Sequence, residues 1–150
     1  MDSIDPARIT VRNLHIDEYD ILIRIWDTAG LPSKPKGRDS REHIAREIQE
    51  GSGFFLVAEL GGKIIGSVFG TSDGRKGWIN RLAVLPEYQR QGIGHVLVRE
   101  AEKRLYDAGI EIIACLIENW NAVSLQAFER MGYVRHDDII YFTKRRSPDV

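Results

Sequence analysis

The chain has 150 residues, 43% hydrophobic and 29% charged, with 21 basic side chains against 22 acidic ones. This length reads as one domain with its own core, and the composition excludes collagen-like, disordered and disulfide-scaffold classes. A formal charge of −1 lacks the basic excess of a nucleic-acid binder, so no nucleic-acid partner is expected.

Ile9-Thr10-Val11-Arg12 is short and β-branched and predicts a first strand. Residues 16–29 follow helical spacing. Leu22, Ile25, Trp26 and Ala29 share one stripe, and Gly30 and Pro32 stop the helix. The loop over 31–38 carries Lys34, Lys36 and Arg38, read as a solvated basic stretch or as a contact for an acidic acceptor. Asp39, with Glu42 three residues on, predicts the cap of a second helix that carries Ile44 and Ile48 on one face and ends at Gly51-Ser52-Gly53.

A strand-rich block follows. Phe54–Ala58 is strongly apolar, Gly61-Gly62 is a hairpin turn signal, and Lys63–Gly70 returns as the partner. Asp73-Gly74 opens a second turn, and Trp78–Leu85 gives a third strand, ended by Pro86. Ile93, Val96, Leu97, Ala101 and Leu105 then form a helical stripe with Gly109 at the C-cap region. Glu111–Ile117 reads as a strand covered on both faces. Residues 121–131 predict a last helix with Val123, Ala127, Phe128 and Met131 inward, and Ile139–Thr143 a last strand. The core spans about 8–143, and 144–150 is a solvated tail.

Cys115 is the single cysteine and lies in the apolar run 112–117, so an internal disulfide is excluded. It is expected to pack in the core, and a reducing compartment fits. Residues 1–6 lack the apolar run of a signal peptide, and no stretch approaches the ~20 apolar residues of a membrane span. A soluble cytoplasmic protein without a membrane partner is expected. His15, His43, His95 and His136 show no metal-ligand spacing, so no metal is expected.

The stretch that carries chemistry is Leu82-Ala83-Val84-Leu85-Pro86-Glu87-Tyr88-Gln89-Arg90-Gln91-Gly92-Ile93-Gly94. A strand ends at proline, and a Gly-x-Gly opens a helix. The free N–H groups of the first helical turn and the helix dipole make an anion site suited to phosphate or pyrophosphate. A dinucleotide fingerprint would need glycine at Leu97, and a P-loop would need Gly-Lys-Ser/Thr, so neither fits.

Gln89-Arg90-Gln91-Gly92-Ile93-Gly94 resembles motif A of the GNAT N-acetyltransferase superfamily, Gln/Arg-x-x-Gly-x-Gly/Ala. Asn121 with Ala127-Phe128-Glu129-Arg130-Met131-Gly132-Tyr133 resembles its motif B. The element order is also the family's. The resemblance implies an α/β fold with a mixed sheet: an antiparallel N-terminal meander, then splayed parallel strands 4 and 5, with helices on both faces. It implies acetyl-CoA as cosubstrate, with the pyrophosphate on the amides around Gln91, Gly92, Ile93, Gly94 and His95, beside Gln89 and Arg90. The pantetheine arm would lie along Leu82-Ala83-Val84, with Asn121 bonding it and Phe128 near the thioester. The Val84 N–H would polarise the acetyl carbonyl. The implied reaction is direct attack by a neutral amine, of a small molecule or a protein, in one ternary complex. A homodimer is compatible with it.

The chain departs from the family where a general-acid tyrosine usually stands: Phe128 takes its place, with Tyr133, Tyr88 and Tyr141 as substitutes. Trp78 and Asn80 lie where some members carry a base glutamate, which leaves Glu118, just past the fifth strand, read either as a solvated strand-end carboxylate or as the base, acting through water. An acyl-CoA-binding or sensing module with weak or no turnover is the alternative reading.

Overall fold

The computed structural model describes residues 4–51 and 53–150; Met1–Ser3, which head the expected leaderless N-terminus, and Ser52, in the stop of the second helix, lie outside the described residues. The elements run β1 (Thr10–Asn13), α1 (Tyr19–Thr28), α2 (Arg41–Glu50), β2 (Gly53–Leu60), β3 (Lys63–Ser72), β4 (Lys76–Val84), α3 (Ile93–Asp107), β5 (Ile112–Ala114) and α4 (Ala122–Arg130). The sheet order is β1-β2-β3-β4-β5, antiparallel through β4, with β5 parallel to β4. Gly61 and Gly62 both take left-handed φ, 56° and 82°, as the predicted two-residue hairpin requires.

Two apolar layers flank the sheet. Leu22, Ile25 and Trp26 of α1 and Ile44 of α2 pack on Phe55, Val57 and Ala83. Ile93, Leu97, Val98, Ala101 and Leu105 of α3 pack on Leu56, Ala58, Ile65 and Ile79, with Phe128 of α4 in the same cluster. Covering on both sides explains why four successive β2 residues, Phe55 to Ala58, are all buried.

Five local expectations are corrected. Ser40, not Asp39, caps α2: its hydroxyl accepts from the His43 N–H at 3.1 Å. Ile48, expected on one face with Ile44, is exposed on α2 while Ile44 is buried. The strand expected over 111–117 is three residues long, and Ile112 and Leu116 are exposed, because β5 is the sheet's edge and has a neighbour on one side only. Val123 is 71% exposed, since only the Phe128 face of α4 meets the core. Residues 139–143 form no strand, and Ile139 to Phe142 stand in solvent.

Arg12 on β1 ties the meander to the turn before α1. Its guanidinium donates to Glu18 at 2.8 and 2.9 Å and to Glu59 of β2 at 3.1 Å. The hydrogen bond from Arg12 is the main force that holds the Glu18 carboxyl down, from its ordinary 4.5 to about 2. A depressed folded pKa adds stability that is fully present above about pH 4.5 and is lost as pH falls toward 2. We therefore expect Glu18→Gln to be less stable at neutral pH and to lose less stability across that acid window, as urea unfolding at a series of pH values will read.

Candidate functional site

The site begins at an irregularity in β4. Asn80 pairs with Phe69 and Ala83 with Ser67, so Arg81 and Leu82 together stand opposite Val68. This is a β-bulge, and Arg81 takes a left-handed φ of 57° to make it. Beyond the bulge the Leu85 N–H donates to Ile65 O at 2.9 Å. By the alternation of an antiparallel ladder, the main-chain groups of Val84 turn the other way, toward β5. The β4–β5 pairing, however, ends at Trp78 and Ala114. The Val84 carbonyl is taken by the Gln89 side-chain amide at 2.9 Å, and the Val84 N–H faces the gap where the strands have parted.

The turn after β4 carries a second cluster of donors. Arg90 and Gly92 adopt left-handed φ of 63° and 84°. Gly92 is the N-cap of α3 and supplies no side-chain acceptor, and the first bond of the helix is Val96 N–H to Gly92 O. The N–H groups of Ile93, Gly94 and His95 therefore find no acceptor in the helix. A Cβ built at Gly94 would meet only the Leu82 side chain, at 3.7 Å, and one at Gly92 would meet nothing within 4 Å, so the turn is open to an approaching ligand. Gln91 Oε1 is buried without a hydrogen-bond partner among the described residues. Arg99 donates to His95 Nε2 at 3.0 Å one helical turn along, which adds positive charge near the turn. Uncapped donors, the dipole and the open backbone fit an anion of phosphate type.

Asn121 caps α4, with its Oδ1 accepting from Ser124 N–H at 3.2 Å, which leaves its Nδ2 to donate elsewhere. Phe128 is buried and meets Tyr133 edge-on, 5.0 Å between ring centres. The Tyr133 hydroxyl donates to Glu102 of α3 at 2.8 Å, and burial together with that carboxylate pushes its pKa far up. Tyr88 lies in the turn before Gln89 with Lys63 over its ring, and Tyr141 is exposed in the C-terminal segment. Glu118 is exposed on the turn before α4, and its carboxylate makes no hydrogen bond or ion pair among the described residues. Cys115 is half-buried on the wall of the cleft beside β5, and burial pushes its thiol up to about 11.

On the other face, a cluster that sequence reading missed joins the α1–α2 loop to the bulge. The Arg81 guanidinium reaches Asp39 Oδ2 at 3.1 Å, donates to Pro32 O and stacks 4.9 Å above the Trp26 ring. Asp39 Oδ2 also accepts the Lys34 N–H at 2.7 Å, and Trp26 Nε1 donates to buried Ser67 at 3.2 Å. Burial pulls the Arg81 pKa down and the Asp39 charge pulls it partly back. An aspartate ahead of a serine reads as a cap on local grounds; its partner 42 residues away leaves no local signal.

A bulged strand, an uncapped helix start and a parted pair of parallel strands together leave a gap with main-chain donors at its edge. The model of the acetyltransferase (GNAT) family matches residues 13–133, and the chain belongs to that family. It is an N-acetyltransferase with acetyl-CoA as the acetyl donor. An acetyltransferase of Sodalis glossinidius is 29% identical over 139 residues, covering 93% of this chain and 96% of its own. One of Photorhabdus laumondii is 29% identical over 136 residues, covering 90% and 94%. Among solved structures, the PaiA N-acetyltransferase of Thermoplasma acidophilum in complex with coenzyme A matches at TM-score 0.74 and 25% identity, covering 87% of this chain and 92% of that one. An aminoglycoside acetyltransferase from an uncultured soil sample, in complex with sisomicin, shares the fold at TM-score 0.77 and 18% identity, covering 94% and 98%. No helix among the described residues is long and apolar enough to cross a membrane.

The Asp39 correction is testable. Ser40→Ala should cost about 1 kcal/mol, the usual value of a lost cap. Asp39→Ala should cost about 3–5 kcal/mol, because it leaves the Arg81 charge unpaired under the bulge. Chemical unfolding of the two variants side by side decides which residue is the cap and which the buried partner.

Proposed function

We propose that the protein moves the acetyl group of acetyl-CoA to a primary amine, of a small molecule or a protein, by direct attack within a ternary complex. Residues 8–143 form the one catalytic domain of this reading. The observation that carries it is the pairing of two donor sets on one strand-turn-helix: the Val84 N–H facing the gap, and the free N–H groups at the start of α3.

In this reading the amides from Gln91 to His95 bind the pyrophosphate, with Gln89 and Arg90 shaping the turn. Leu82, Ala83 and Val84 line the pantetheine arm, and Asn121 donates to it through Nδ2. The Val84 N–H opposes the negative charge that grows on the acetyl oxygen as the amine attacks, a contribution of about 3 kcal/mol for one well-aimed donor. Glu118 takes the amine's proton through a water, since its exposed position leaves room for one. A thiol raised to about 11 is protonated near neutral pH, which disfavours an acetyl-cysteine route through Cys115 and supports direct transfer.

The sensing-module reading draws on one observation. No phenol stands at Phe128, and the nearest one, Tyr133, is already engaged with Glu102. Amine-dependent release of free thiol from acetyl-CoA separates an enzyme from a sensor. Because a similar fold holds sisomicin, polyamines and aminoglycosides belong in the acceptor panel beside peptides.

We expect Gly94→Asp to weaken acetyl-CoA binding by about tenfold or more through like charge at the phosphates. Gly94→Ala should stay near the natural chain, since its Cβ meets only an ordinary contact. Calorimetric titration of both reads the difference, and unchanged affinity in Gly94→Asp would remove the anion site. We also expect Phe128→Tyr to raise turnover, by up to the ~100-fold that a general acid supplies at the low end. Tyr133→Phe should leave turnover within about threefold, because that phenol's proton is held by Glu102. A large loss in Tyr133→Phe with binding unchanged would make Tyr133 the acid instead.

A further inference from the structure

We infer that Arg81 is a positioning residue of the acetyl transfer: its guanidinium, anchored on the α1–α2 loop, holds the β4 bulge that turns the Val84 N–H toward the acetyl carbonyl. This role rests on the reading in which Val84 faces the bound thioester. Among the described residues, Arg81 and Arg90 are the non-glycine residues with left-handed φ, and Arg81 is the one inside a strand. Arginine gains nothing locally from that conformation, which glycine and asparagine visit readily. A strained backbone persists where its surroundings over-determine it.

Here the surroundings do so from two elements at once. One arm of the guanidinium donates to Pro32 O and the other to Asp39 Oδ2 at 3.1 Å, both on the α1–α2 loop, and the group stacks 4.9 Å above the Trp26 ring of α1. These anchors are themselves fixed. The Asp39 carboxylate accepts the Lys34 N–H at 2.7 Å, and the Asp39 carbonyl accepts the Tyr19 hydroxyl at 2.5 Å. Trp26 Nε1 donates to Ser67 Oγ at 3.2 Å, and Ser67 is the β3 partner of Ala83, where pairing resumes after the bulge. The Arg81 and Asp39 side chains are 16% and 9% exposed, so water is a poor substitute for either partner.

The clasp decides which main-chain donor faces the gap. Val84 stands opposite Gly66 and the Leu85 N–H bonds Ile65 O, so the Val84 N–H points away from β3. Without the extra residue β4 would slip by one position, and every group beyond it would change sides. The Val84 N–H would then turn to β3, and the gap would lose its donor. The placement of the α1–α2 loop and the direction of that N–H are thus one mechanical unit.

The test uses the full chain with acetyl-CoA carrying carbon-13 at the acetyl carbonyl. In the natural complex the labelled carbonyl stretch should lie at lower wavenumber than in free acetyl-CoA, because the Val84 N–H polarises the bond. Two double variants, Asp39→Asn with Arg81→Gln and Asp39→Asn with Arg81→Gly, lose the clasp without leaving a charge buried alone. Glycine takes a left-handed φ readily and glutamine does not. Both chains should fold by circular dichroism and bind acetyl-CoA within about threefold of the natural chain, since the anion site at the start of α3 is untouched. The glutamine chain should lose the infrared shift, and the glycine chain should recover it. Arg81→Lys keeps a charge beside Asp39 but lacks the fork that reaches Pro32 O as well, so it should match the glutamine result in a chain that keeps its buried pair. A role confined to stability would weaken these chains and move none of the bands. A shift kept in the glutamine or lysine chain, or lost in the glycine chain too, would overturn the inference and leave the Val84 donor standing. No shift in the natural complex would remove the Val84 donor itself, and the inference with it.

Discussion

The arrangement around the site hangs on a guanidinium held under a bulge. Arg81 takes a backbone conformation that side chains other than glycine rarely adopt, and it persists because Asp39, Pro32 and the Trp26 ring hold its head group. The same contacts fasten the α1–α2 loop to the sheet. The extra residue in β4 reverses the direction of the main chain after it, so the Val84 N–H faces the gap instead of β3. The bulge therefore sets both the donor and the wall behind it. Neither could be moved without unpairing a buried charge.

The other half of the site depends on α3. Its apolar stripe, Ile93, Leu97, Val98, Ala101 and Leu105, presses on the sheet and fixes where the helix starts. The donors at that start are thus positioned by the core rather than by a loop. The Gln89 amide bonds the Val84 carbonyl and joins the turn to the strand. Anion site and carbonyl-facing N–H are held at a set separation by one side chain and one strand end.

Much of this was legible in the sequence because its causes are local. The α1 stripe, the Gly61-Gly62 turn and the Gly92-Ile93-Gly94 helix start are decided by residues within a few positions of one another, and the resemblance to the family rested on those same short runs. What was not legible depends on distance. Asp39 looks like a cap until Arg81, 42 positions on, is seen to claim it. Tyr133 looks like a free phenol until its hydroxyl is seen to donate to Glu102, 31 positions back. Glu111–Ile117 reads as a covered strand because its composition is apolar. Being the sheet's edge is a fact of topology that composition does not carry, and the same holds for Ile139–Thr143, whose strand pattern finds no strand neighbour among the described residues.

The unfinished start of α3 has a consequence for the protein's lifetime. A helix start without a side-chain cap, reached through left-handed backbone at Arg90 and Gly92, offers its free N–H groups to an outside anion. A ligand that binds the folded chain alone adds about 2.7 kcal/mol when present at a hundred times its dissociation constant. If that anion is coenzyme A, the share of molecules open to unfolding and proteolysis follows the cell's coenzyme A pool. The abundance of the enzyme, and not only its rate, then rises and falls with the supply of its acetyl donor.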